Sequence, residues 1–133
     1  MKKIFKLILS FSLLCLCSGA IAQNKVPDVF TPIGKYLAKG DSDALSAWFA
    51  DNLQISVASQ ESTASKAQAK LIVKSFFESY SPRSFSITHT AGRSNMKYAL
   101  GVLNAGGEMF NVTIFVIFKN GAYKIQQLSI ERI

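Results

Sequence analysis

Residues 65–80 read SKAQAKLIVKSFFESY. Ser65 and Gln68 stand at capping-box spacing, where each side chain satisfies a free amide in the other's turn. At about 100° per residue, Ala69, Ile72, Val73, Phe76, Phe77 and Tyr80 fall within one arc of roughly 140°. Lys70, Lys74 and Glu78 lie opposite, Lys66 sits on the boundary, and Leu71 falls on the polar side. The spacing predicts an amphipathic helix that Pro82 brings to an end. Its apolar stripe requires an apolar surface to lie on, and the rest of the chain must supply one.

The residues after Pro82 read as sheet. Phe85, Ile87 and His89 alternate with Ser84, Ser86, Thr88 and Thr90, which puts the first three on one face of a strand. Met96, Tyr98, Leu100 and Val102 alternate in the next strand. A turn over residues 104–107 leads into Phe110–Phe118, and Asn120-Gly121 is a hairpin signal before the last strand. There Tyr123 and Ile125 share one parity while Leu128 and Ile130 take the other, so a bulge is expected near Gln126-Gln127. Upstream, Val29, Ile33, Tyr36 and Leu37 recur at helical spacing. Pro27 suits the first turn of that helix, Pro32 must sit in the first turn or mark a kink, and Gly40 closes it. Asp41 or Ser42 caps a second short helix carrying Leu45, Trp48 and Phe49. A strand over residues 53–58 and a polar loop over residues 59–64 complete the order. The predicted class is α+β: a curved antiparallel sheet wrapped around a long helix, cone-shaped, with two N-terminal helices.

The first residues bear on the compartment. Lys2, Lys3 and Lys6 precede an apolar run from Leu7 to Leu16, and Ala20-Ile21-Ala22 offers small residues where a signal peptidase cuts. Residues 1–22 read as a signal peptide and residues 23–133 as one domain, exported to the periplasm or beyond. Removing 22 of the 133 residues leaves 111, with no cysteine and no further span of the roughly 20 apolar residues a membrane crossing needs. Three of the 15 lysines and arginines leave with the leader, so 12 basic residues face 8 acidic ones, a net +4. That mild charge favours acidic partners without demanding them, and an exported chain gives no case for nucleic acid.

The stretch over residues 40–51, GDSDALSAWFAD, together with the helix opening SKAQAK and its Phe76-Phe77 pair, resembles the nuclear transport factor 2-like (cystatin-like) superfamily. It is similar in particular to small secreted proteins of Bacteroidetes-type bacteria. The resemblance implies a cone in which relatives bind apolar ligands or catalyse proton transfers, and an outer sheet face through which they dimerise. The catalytic members' inward aspartate has no counterpart here: between Glu78 and Glu131 the only acidic residue is Glu108, at the edge of a turn.

Candidate residues follow from that frame. Trp48, Phe76, Phe77, Phe85, His89 and Tyr98 are the candidate lining of a pocket in the cone, either splayed around an apolar ligand or packed as a core. His89, the one histidine, and Tyr98 on the neighbouring strand are the polar handles that a small-substrate enzyme would use. No catalytic set, cofactor motif or metal-ligand cluster is read from the sequence, and a non-enzymatic binding module is the favoured expectation. Lys66, Lys70 and Lys74 read as a solvated helix face. Ile114-Phe115-Val116-Ile117-Phe118 is apolar on both parities, so its outer face requires cover. A homodimer through the outer sheet face would supply it, with a small apolar ligand or an envelope protein as the other expected partners.

Overall fold

The computed structural model describes residues 28–133. The leader, its cleavage site and the placement of Pro27 lie outside the described residues. The first helix, α1 (Phe30–Lys39), buries Phe30, Ile33 and Leu37. Its Phe30 amide donates to Asp28 Oδ1 at 3.0 Å. Pro32 lies in the first turn, where its missing N–H has no helical acceptor to lose. Gly40 ends the helix at φ 69°, and the amides of Gly40 and Asp41 close back on Leu37 and Tyr36. Asp41 then caps α2 (Ser42–Ser46), its Oδ1 accepting from the Ala44 amide at 3.0 Å.

The second helix is shorter than the spacing of Leu45, Trp48 and Phe49 predicts. It stops at Ser46 because the Trp48 carbonyl accepts from the Ile125 amide at 2.6 Å, drawing the chain into the sheet. Strand β1 (Phe49–Val57) therefore starts four residues before the expected Leu53. It turns directly into β2 (Gln60–Ser65), the segment expected to be a polar loop. The turn is Ala58-Ser59, both at positive φ (52° and 71°), and Val57 pairs with Gln60 across it. Two such residues are the backbone of a type I′ hairpin, usually supplied by Asn-Gly. Here Glu131 braces it, its carboxylate accepting from the Ser59 amide at 2.8 Å and from the Ser56 hydroxyl. Replacing Ala58-Ser59 by Asn-Gly is expected to raise the unfolding free energy by about 1 kcal/mol, measured by urea denaturation.

The capping box forms as expected at the start of α3 (Lys66–Ser79). Ser65 Oγ accepts from the Gln68 amide at 3.2 Å, and Gln68 Oε1 accepts from the Ser65 amide at 3.1 Å. Ala69, Val73, Phe76 and Phe77 are buried, and Ile72 and Tyr80 half-buried. Lys70 leaves the ladder of solvated lysines: its Nζ lies 2.7 Å from Asp43 and ties α3 to α2. The hydrogen bond and charge of Lys70 hold the Asp43 carboxyl below its ordinary value of 3.8. What this pair contributes is present at neutral pH and disappears as acid protonates the carboxylate through its lowered folded-state value.

Four strands complete the fold: β3 (Pro82–Arg93), β4 (Met96–Ala105), β5 (Glu108–Lys119) and β6 (Ala122–Arg132). The sheet order is β2-β1-β6-β5-β4-β3, antiparallel throughout except that β1 and β6 run parallel. Strand β6 carries the expected bulge, since Phe115 pairs with Gln127 and Val116 with Ile125, leaving Gln126 over. Leu53, Ile55, Leu103, Phe110, Val112, Ile114, Val116, Leu128 and Ile130 are buried on the concave face that receives α3. Among the described residues no helix is long and apolar enough to cross a membrane.

Candidate functional site

The concave face is filled. Phe76, Tyr80 and Phe110 form a triangle of rings with centroids 5.0–5.2 Å apart, and Phe77 lies edge-on to Phe76 at 5.9 Å. Arg132 closes this end of the helix–sheet interface. Its guanidinium lies over the Tyr80 and Phe110 rings at 5.6 and 5.8 Å, donates to the Tyr80 hydroxyl at 2.8 Å, and meets Glu108 at 2.9 Å. Phe76 and Phe77 thus stand inward, as the helical arc predicts, and act as core.

The other candidate residues separate. Phe85 faces the concave side and lies between two glycines, Gly34 of α1 and Gly101 of β4. His89 does not share its face. Ile87 pairs with Gly101 but His89 with Leu100, so Thr88 is an extra residue that turns the rest of the strand over. The Thr88 hydroxyl fixes this bulge by donating to the Leu100 carbonyl at 3.2 Å. His89 and Tyr98 do stand together, with ring centroids 6.3 Å apart, but both are exposed on the convex face, away from the core that Phe76 and Phe77 enter. The shared face expected for Phe85, Ile87 and His89 is therefore corrected. No buried acid–base pair is assembled around His89, and among the described residues no three His, Cys, Asp or Glu side chains group as a metal site.

What the molecule presents instead is surface. On the convex face, Ala91, Tyr98, Phe115 and Gln127 form one cross-strand row, with His89, Leu100, Thr113 and Ser129 in the adjacent row. Met96 beside Ile117 extends the patch. Met96, Tyr98 and Leu100 are exposed, and Phe115 and Ile117 are half-buried, with no layer of secondary structure above them among the described residues.

Two open grooves are lined largely by apolar side chains. One, of about 570 Å³, is lined by Trp48, Phe118 and Tyr123 with Asp28 and Lys124 among its polar groups. Phe118 and Tyr123 meet edge-on at 5.0 Å, and the Tyr123 hydroxyl is held by the Ser94 carbonyl at 2.5 Å. Trp48 belongs to this groove. The other, of about 540 Å³, runs between α3 and the β1–β2 hairpin and is lined by Val57, Gln60, Ser62, Leu71, Ile72 and Phe76 among others. Leu71, the residue off the helical stripe, is 62% exposed along it. This groove leaves no mark in the sequence, because its strand wall carries a single buried residue, Ala64.

A long helix held in a curved six-stranded sheet, behind two short N-terminal helices, defines a protein of the nuclear transport factor 2-like, or cystatin-like, fold. The chain belongs to the family described as Domain of unknown function (DUF4783), which matches residues 30–131. Crystal structures of two proteins of that family share the fold. One from Bacteroides uniformis is 22% identical with TM-score 0.76, covering 80% of this chain and 98% of that one. One from Bacteroides ovatus is 21% identical with TM-score 0.74, covering 84% and 98%. A protein of unknown function with a cystatin-like fold from Nostoc punctiforme is 15% identical with TM-score 0.60, covering 77% and 84%. No functionally curated protein matches the sequence.

Proposed function

We propose that this chain is an exported, non-enzymatic binding module that dimerises through the convex face of its sheet. The observation that carries the reading is the patch of Met96, Tyr98, Leu100, Phe115 and Ile117. A sheet with one face on a helix leaves the other to water, and that face is then normally polar. Here its centre is apolar and aromatic, the composition of an association surface. A two-fold axis over Tyr98 and Phe115 would set the patch against its own copy. The leader-like residues 1–22 support export.

The test is sedimentation velocity of the purified protein beside a Tyr98→Asp/Phe115→Asp variant. The parent is expected to sediment as a dimer and the variant as a folded monomer with unchanged circular dichroism. A parent that stays monomeric at all concentrations reached would sink the dimer. The aromatic groove of Trp48, Phe118 and Tyr123 favours a second role, capture of a small apolar ligand, for which native mass spectrometry of the host-purified protein is the check. A co-purifying molecule that a Trp48→Ala variant no longer carries would support that role, and the same added mass on both proteins, or none on either, would count against it.

A further inference from the structure

The free edge at β2 and the groove beside it form one composite feature. In a two-residue hairpin the pair flanking the turn is hydrogen-bonded and the pairs alternate from there. With Val57 against Gln60, the bonded pairs are Val57–Gln60, Ile55–Ser62 and Leu53–Ala64. Glu61 and Thr63 therefore direct their N–H and C=O groups away from β1. Strand β2 ends the sheet, so among the described residues no strand receives them. Ser65, next in this series, gives its amide to Gln68.

Proteins blunt such edges with proline, lysine or a bulge. The opposite edge has Pro82 at its start, the cations Arg83 and Arg93 along it and the bulge at Thr88. Strand β2 has neither proline nor lysine, and its register with β1 is unbroken over six pairs.

The groove shows what side chains such an edge would accept. Gln60, Ser62 and Ala64 point to the concave side, paired with the buried Val57, Ile55 and Leu53, and they are too small or polar to cover the near flank of α3. Leu71, Ile72 and Phe76 are left lining an open channel. One more strand beside β2 would place every second side chain, about 6.8 Å apart, over that channel. Its intervening side chains would face the convex side, where Glu61 and Glu131 line one hollow. Neither carboxylate forms an ion pair with a described residue.

We propose that β2 and the α3 groove form a strand-addition site for an extended peptide segment of a partner protein, apolar at alternate positions with basic residues between them. Backbone pairing to Glu61 and Thr63 supplies the direction, Leu71, Ile72 and Phe76 take the apolar side chains, and Glu61 with Glu131 selects the basic ones. This deepens the binding-module reading and rests on it, while sedimentation of the same samples reports the convex face separately.

The experiment adds an acetylated heptapeptide alternating valine with lysine to the whole protein and follows backbone amide exchange. Slowed exchange at Glu61 and Thr63, with tenfold or greater loss of affinity in Leu71→Lys, is the expected result. Thr63→Pro, which removes an outward amide without touching the β1 pairing, should weaken binding to the same degree. A peptide alternating valine with glutamate should bind at least tenfold more weakly. No protection at Glu61 and Thr63 at millimolar peptide overturns the proposal, as does binding that survives both variants. Protection that rises with protein concentration alone overturns it in favour of a second copy at this edge.

Discussion

Phe110→Ala is expected to lower the unfolding free energy by about 3–5 kcal/mol, the range for emptying a fully buried aromatic site. Phe110 has no exposed surface, and its ring forms one side of the triangle with Phe76 and Tyr80 that seats α3 on the sheet. It also lies beneath the Arg132 guanidinium, so truncation would leave that cation over a void. Domains of this size carry only about 5–15 kcal/mol in total, so the variant should melt early or fail to accumulate. Urea denaturation with an unchanged m-value is the measurement. A loss under about 1 kcal/mol would mean that the aromatic triangle does not hold the helix.

The second large effect is expected at Gly101. A Cβ there would stand 2.6 Å from the Phe85 ring and 2.6 Å from the Ser86 carbonyl oxygen, closer than carbon atoms approach either. The ring has little room to retreat toward α1, since even a Cβ added at Gly34 would stand 3.1 Å from it. Gly101→Ala should therefore cost about 2–3 kcal/mol by forcing Phe85 out or parting β3 from β4. Phe85→Leu in the same chain removes the ring edge and should recover part of the loss. A double-mutant cycle with a coupling of about 1 kcal/mol or more would show that the two residues share one space. Strict additivity would place the strain at Ser86 alone.

The architecture was legible in the sequence wherever burial wrote itself into local spacing. The capping box at Ser65 and Gln68, the arc through Phe76 and Phe77, and Gly40 followed by Asp41 each state a local rule that the structure obeys. Two bulges show the limit of that legibility. The one at Gln126 was readable because Ile125 and Leu128, on either side of it, are both buried, so the apolar parity visibly changes. The one at Thr88 was not, because the strand beyond Ile87 is exposed on both faces and no apolar residue records the inversion. Simple alternation therefore puts His89 on the face opposite the one it occupies. Strand β2 escaped for a related reason. Gln60–Ser65 carries one buried residue, Ala64, and its conformation depends on pairing with β1 and on a turn braced by Glu131, some 72 residues away. Of the candidate site, the inward phenylalanines and the uncovered outer face of Phe115 and Ile117 could be read. The grooves could not, since each is built from segments far apart in sequence.

The parallel pairing of β1 with β6 bears on when this chain can fold. Ile55 aligns with Leu128 and Val57 with Ile130, so β6, the last of the described strands in chain order, lies between the β1–β2 hairpin and the other three strands. Until Ala122–Arg132 is available, the β1–β2 hairpin with α3 and the β3–β4–β5 meander have no common sheet, and each leaves an apolar face open to water. Contacts of such long sequence separation slow folding, because loop closure comes before the reward of pairing. The domain therefore closes in one late step, when β6 joins two halves that cannot share a core before it is made.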